Sequence, residues 1–148
     1  MSARENTYWR DAAISQRHRQ WGMDCPATDV DFFLIEYDRG LPCAVVDYKH
    51  GNRADPLAGV HPGSARALGG LYDHHGRQLP YFTVLYHPGT AWRFQAKAMN
   101  TPALRWLDGN GWQDLTEAGW VRLLHSIRRN ALDPAHPPGA QQHPGRDS

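Results

Sequence analysis

The chain has 148 residues, 41% hydrophobic and 21% charged, which is enough for one globular domain with a core of its own. Sixteen Lys and Arg against fifteen Asp and Glu leave a net charge of +1, which excludes a binder that relies on overall basicity; any attraction for phosphate must be local. No apolar run approaches ~18 residues, no secretory leader pattern occurs, and Cys25 and Cys43 lack CxxC spacing, so the expectation is a cytoplasmic protein with free thiols and no membrane contact.

Arg4–Gln20 reads as a weakly amphipathic helix, with Trp9, Ala12, Ala13 and Gln16 along one side and Arg10, Arg17, His18 and Arg19 along another, stopped by Trp21-Gly22. Val30–Tyr37 and Cys43–Tyr48 are rich in β-branched and aromatic residues and predict two strands joined at Asp38-Arg39-Gly40. Both carry apolar residues on each face, the pattern of central strands covered on two sides. Gly51–Gly63 is a loop, and Ser64 is positioned to cap a helix to about His75 that holds Ala65, Leu68 and Tyr72. Leu79–Tyr86 and Trp92–Met99 predict two further strands. Thr101-Pro102 starts a short helix to Leu107, Asp108–Gly111 is a turn, and Asp114 or Thr116 caps a last helix with Trp120, Leu123, Leu124 and Ile127 facing the core. From Leu132 the composition turns to Pro, Gly, His and Gln; the domain is expected over 1–130 and a disordered tail over 131–148.

The first two strands carry the chemistry. If their loop has three residues, Tyr37 faces Leu41 and paired residue numbers sum to 78, so Asp31 lies opposite Asp47 and Asp29 opposite Lys49. A four-residue loop would destroy that register. Opposed residues stand roughly 4.5–5.5 Å apart at Cβ, where like charges repel. An Asp31–Asp47 pair therefore calls for a cation, a shared proton or open water. Glu36 falls on the other face. Two facing carboxylates form a hard oxygen site suited to Mg²⁺ or Mn²⁺, and a nearby lysine can orient water or balance charge at a phosphoryl centre. The competing reading is a salt-bridge cluster in which Lys49 neutralises Asp29.

Asp31 ahead of an apolar strand, followed by Asp47-Tyr48-Lys49 in the string VVDYKHG, resembles the PD-(D/E)XK nuclease superfamily in its RecB-type form. The resemblance implies a restriction-endonuclease-like α/β fold, a central mixed sheet flanked by helices. Its element order would be a leading helix, a three-stranded meander, a helix and a further strand. It also implies Asp31 and Asp47 as metal ligands, the backbone carbonyl of Tyr48 as an extra ligand, and Lys49 as the water-positioning base or charge stabiliser. Asp29 and Gln16 are accessory candidates; Gln16 stands in the first helix, where many members carry a glutamate. The implied activity is Mg²⁺- or Mn²⁺-dependent DNA hydrolysis, with homodimers common in that superfamily. The alternative is a catalytically incomplete protein of the same fold that binds DNA or a protein partner.

Asp73-His74-His75 reads as solvent-facing or capping groups near a helix end rather than a metal site, and no zinc spacing, GxxxxGK[ST] or GxGxxG string occurs. The six tryptophans read mostly as core anchors, without a base-stacking platform.

Overall fold

The computed structural model describes residues 13–14, 16–22, 30–52, 54–55, 57 and 60–132. Their elements are β1 (Phe32–Glu36), β2 (Leu41–His50), α1 (Pro62–Gly69), β3 (Tyr81–His87), β4 (Arg93–Ala98), α2 (Thr101–Leu104), β5 (Gln113–Thr116) and α3 (Glu117–Leu132). The strands form one five-stranded sheet in chain order. β2 and β3 pair in parallel, and the other neighbours are antiparallel. A parallel pair needs a long crossover, and the segment carrying α1 supplies it.

Period-two alternation sends Ala44, Val46, Phe82, Val84, Phe94 and Ala96 to one face, where Trp120, Leu123 and Ile127 of α3 join them in the core with Ala103, Trp106 and Leu107. The expected core stripe of the last helix is therefore observed, with Leu124 partly buried beside it. Thr116 caps that helix through its hydroxyl, which accepts the Gly119 amide at 3.0 Å. On the opposite face Val45, Tyr81, Thr83 and Leu85 are also buried.

The hairpin differs from expectation in two ways that cancel. Its turn has four residues, with Glu36 opposite Leu41, and not three. Cys43 then enters β2 as an extra, bulged residue between Leu34↔Ala44 and Ile35↔Pro42. The slip from the turn is thereby reversed, and Phe32↔Val46 returns to the sum of 78. The bulge also swings Cys43 into the main core, away from the face of Val45 where alternation had put it. Gly40 adopts the positive φ of 65° expected of it.

Other boundaries move as well. β1 is an edge strand and not a covered central one: Phe32, Phe33 and Ile35 are more than a third exposed. An apolar run reports low polarity, and here it does not report cover. The meander of three strands before the crossover is replaced, among the described residues, by a hairpin, with the antiparallel β3–β4–β5 ladder after α1. α1 is capped by His61, whose imidazole accepts the Gly63 amide at 3.0 Å, not by Ser64. It ends at Gly69, before the Gly69-Gly70 pair can be carried further. Tyr72 therefore lies outside any helix, bridged to Gln78. β5 has only Leu115 buried, and no strand was expected there. Residues 16–20 are helical and stop at Gly22, whose φ is 89° and whose amide bonds the Arg19 carbonyl. Arg10 and the tail beyond Leu132 lie outside the described residues.

Asn100 ties these elements together. Its side-chain oxygen accepts the Tyr81 amide at 3.1 Å and the Ala103 amide at 3.2 Å. Its amide group donates to Leu79 at 2.8 Å and Gly69 at 3.1 Å. One side chain thus joins the end of α1, the start of β3 and the cap of α2. Asn100→Ala strands three part-buried backbone groups, leaves the Gly69 carbonyl to Gln78 alone and is expected to cost roughly 3 kcal/mol of stability. Urea unfolding measures it, with Asn110→Ala, in the exposed Asp108–Gly111 turn, as the near-neutral control.

Candidate active site

The acid pair stands where edge strand β1 begins, at the third of the six β2–β3 pairs, and Lys49 leads from it toward the carboxyl end of the parallel strands. The restored register puts Asp31, one residue before Phe32, across from Asp47, one residue after Val46. Their carboxyl groups share a face and hydrogen-bond to each other. The Val45 amide bonds the Pro80 carbonyl, so odd-numbered residues of β2 turn their peptide groups to β3 and even-numbered ones to β1. The Tyr48 amide and carbonyl thus lie on the β1 side, and the amide bonds the Asp31 carboxylate. The Tyr48 ring goes the other way, into the core, where its hydroxyl accepts the Trp120 indole N–H at 2.9 Å.

Lys49 shares the Asp47 face, two residues along, and its Nζ stands 3.3 Å from Asp47 Oδ2. Both side chains are mostly buried, 15% and 23% exposed, so this ion pair is better shielded from solvent than a surface pair. Asp29 and its expected contact with Lys49 lie outside the described residues. Gln16 is exposed on the 16–20 helical stretch and is not among the groups that shift Asp31. Glu36 is well away from the pair, as alternation requires, but it has a structural task that its parity did not reveal. It is buried, accepts the Asp38 and Arg39 amides of the turn, and receives the Arg128 guanidinium at 3.0 Å. Burial opposes ionisation there, yet those donors hold its carboxyl below the usual value.

Two residues beside the pair were not read from the sequence. Thr83 is in register with Asp47 on β3, fully buried, and its hydroxyl has no hydrogen-bond partner among the described residues. Tyr81, in register with Val45, is buried beneath the acids; burial first, then the charges of Asp47 and Asp31, push its phenol up, which keeps it protonated. Strand pairing across a crossover brings both here, and no local spacing signals it.

Partial burial, then the hydrogen bond and charge of Asp47, push Asp31 up to about 6, while Lys49 and the Tyr48 amide pull it back. Two carboxyls this close share a proton more readily than they both ionise. The donor set is all hard oxygen, carries excess negative charge and sits beside an unsatisfied buried hydroxyl, which fits a small divalent cation. Among the described residues no group of three or more His, Cys, Asp and Glu side chains gathers, so such an ion would keep several waters. Asp73, by contrast, is spent on structure: it accepts the His75 and Arg77 amides and pairs with the Arg77 side chain, so Asp73-His74-His75 forms a turn.

The fold and site define an α/β protein with a mixed five-stranded sheet and an acid pair across its β1–β2 hairpin. No family model, curated protein or solved structure matches the chain. No helix among the described residues is long and apolar enough to cross a membrane.

A raised carboxyl pKa means that the native state holds the proton more tightly than the unfolded chain does. The pair is therefore best tolerated below the unfolded value near 3.8, and its contribution becomes unfavourable as pH rises through about 6. Asp31→Asn keeps a hydrogen bond to Asp47 and removes the titration. Without divalent metal its melting temperature is expected above that of the parent at pH 7.5 and level with it at pH 4, by calorimetry at both values.

Proposed function

We propose that the chain is a metal-dependent nuclease of restriction-endonuclease-like fold that hydrolyses DNA phosphodiester bonds in the cytoplasm. The observation that carries this reading is the Asp31–Asp47 carboxyl contact with Lys49 against Asp47, across the β1–β2 hairpin. DNA as substrate, and dimerisation, follow from the resemblance of VVDYKHG to RecB-type nucleases.

Asp31 and Asp47, with the Tyr48 carbonyl, would hold Mg²⁺ or Mn²⁺. When bound, that ion supplies Lewis-acid polarisation of a phosphoryl oxygen and lowers the pKa of a water. Lys49 sits two residues beyond Asp47 on the same face, where its ammonium can orient the attacking water and offset the charge that builds on the phosphate oxygens. In hydrolysis the water oxygen forms a new bond to phosphorus, the ester oxygen leaves, and that oxygen takes up a proton. Tyr81, kept protonated beneath the acids, fixes their floor and excludes water from it.

The second reading, an incomplete nuclease fold that binds DNA or a protein without cutting, is favoured by one feature. No third acid joins the pair among the described residues.

Plasmid, linear and branched DNA incubated with the protein and Mg²⁺ or Mn²⁺ should be cut, and a chelator should abolish cutting. Asp47→Ala and Lys49→Ala should each reduce the rate by ~10²-fold or more. Binding without metal-dependent cutting would select the second reading. Metal binding has its own readout. Mg²⁺ at ten times its Kd should stabilise the parent by about 1.4 kcal/mol at pH 7.5 and leave Asp47→Asn unchanged. The effect should fade below about pH 6, where Asp31 takes up its proton.

A further inference from the structure

On the other side of Asp31 from Asp47 lies an open groove of about 600 Å³. Six of its eight lining residues are aromatic; Leu124 is aliphatic, and Asp31 forms the lip. Phe32 and Trp92 stand on its rim, 54% and 41% exposed. Tyr86, Trp92 and Phe94 form a run of near-parallel rings, with interplanar angles of 25° and 24° and centroids 6.3 Å apart. The expectation that the tryptophans serve mostly as core anchors holds for Trp106 and Trp120, and fails for Trp21 and Trp92.

Basic side chains stand at the carboxyl end of the parallel strands, most of them on the face opposite the groove. Lys49, His87 and Arg93 follow one another on the face of the acid pair, as the pairings Lys49↔Leu85, Leu85↔Gln95 and His87↔Arg93 require, and His50 packs against Tyr86 on the groove side. Arg93 is exposed, with no ion-pair partner among the described residues. Flat ring faces suit a stacked base, and the exposed guanidinium of Arg93, next in sequence to Trp92, suits its phosphate. An amphipathic helix would instead need aliphatic holes for its side chains, and one leucine does not make them.

We propose that this groove stacks an unpaired nucleobase, which makes single-stranded nucleic acid, or a single-stranded end or flap, the substrate of the acid pair. The inference rests on the nuclease reading for its chemistry, but not for its binding. Bases paired within a duplex have their faces covered by their neighbours and cannot enter the groove. An unpaired strand crossing the sheet end places a base against Trp92 and Tyr86 while the adjoining phosphate passes the Asp31 lip. The Arg93 side supports the next phosphate.

Binding is measured in chelator, so that cutting plays no part, by anisotropy of labelled dT12, rU12, a 12-base-pair duplex and an abasic 12-mer. The proposal expects dT12 or rU12 to bind at least tenfold more tightly than duplex or abasic strand. Trp92→Ala should weaken that binding by ~5- to 100-fold, the range of one lost stacking contact. Trp92→Phe should restore most of it, and the melting temperatures of both variants should stay near that of the parent. Equal binding of abasic and base-carrying strands, preference for duplex, or no nucleic-acid binding at all would overturn the proposal. Base-dependent binding without metal-dependent cutting would support the groove and sink the nuclease reading. Cutting of duplex with no dependence on Trp92 would do the reverse.

Discussion

A central parallel strand has to enter the sheet through a crossover, and every backbone group at that junction must find a partner. Asn100 meets this constraint with two acceptor and two donor bonds, the full complement of a primary amide. Because it fixes where β3 starts, it also fixes which β3 residues lie beside Asp47. Tyr81 and Thr83 owe their places under the acid pair to a side chain at the far end of β4. Gln78, which also donates to the Gly69 carbonyl, reinforces the same junction.

The functional end of the sheet combines two environments that local sequence would keep apart. On one face, mostly buried Asp47 and Lys49 meet the half-solvated Asp31, whose carboxyl is raised by burial and by its neighbour. On the other, rings from β2, β3 and β4 gather around the Trp120 indole, with Phe32 of β1 against Tyr48. Asp31 belongs to both because it stands at the first turn of an edge strand, where the chain has not yet committed to the pleat. A second cleft, of about 300 Å³, opens at the other end of the sheet, but there Asp73, Arg77 and Asn130 already satisfy one another.

Much of this was legible in the sequence because side-chain alternation is local. The hairpin, the separation of Glu36 and the core stripe of the last helix follow from periodicities of two and 3.6, whereas the facing of Asp31 and Asp47 survives a four-residue turn only because the Cys43 bulge reverses its slip. What stayed hidden depends on distant partners. β5 buries one side chain and exists because β4 offers it an edge. His61 outcompetes Ser64 as a cap because Pro62 and Gly63 follow it. The role of Glu36 depends on Arg128, 92 residues away, and the exposure of Trp92 depends on how far β4 extends.

The turn at Tyr37–Gly40 and the bulge at Cys43 are two departures from regular pairing whose effects on register are equal and opposite. Neither can change length alone without rotating Asp31 to the far side of the strand from Asp47. Through any history of insertions and deletions, these two positions are free to vary only as a linked pair. A gap at one should be matched by a compensating change at the other, whatever residues fill them.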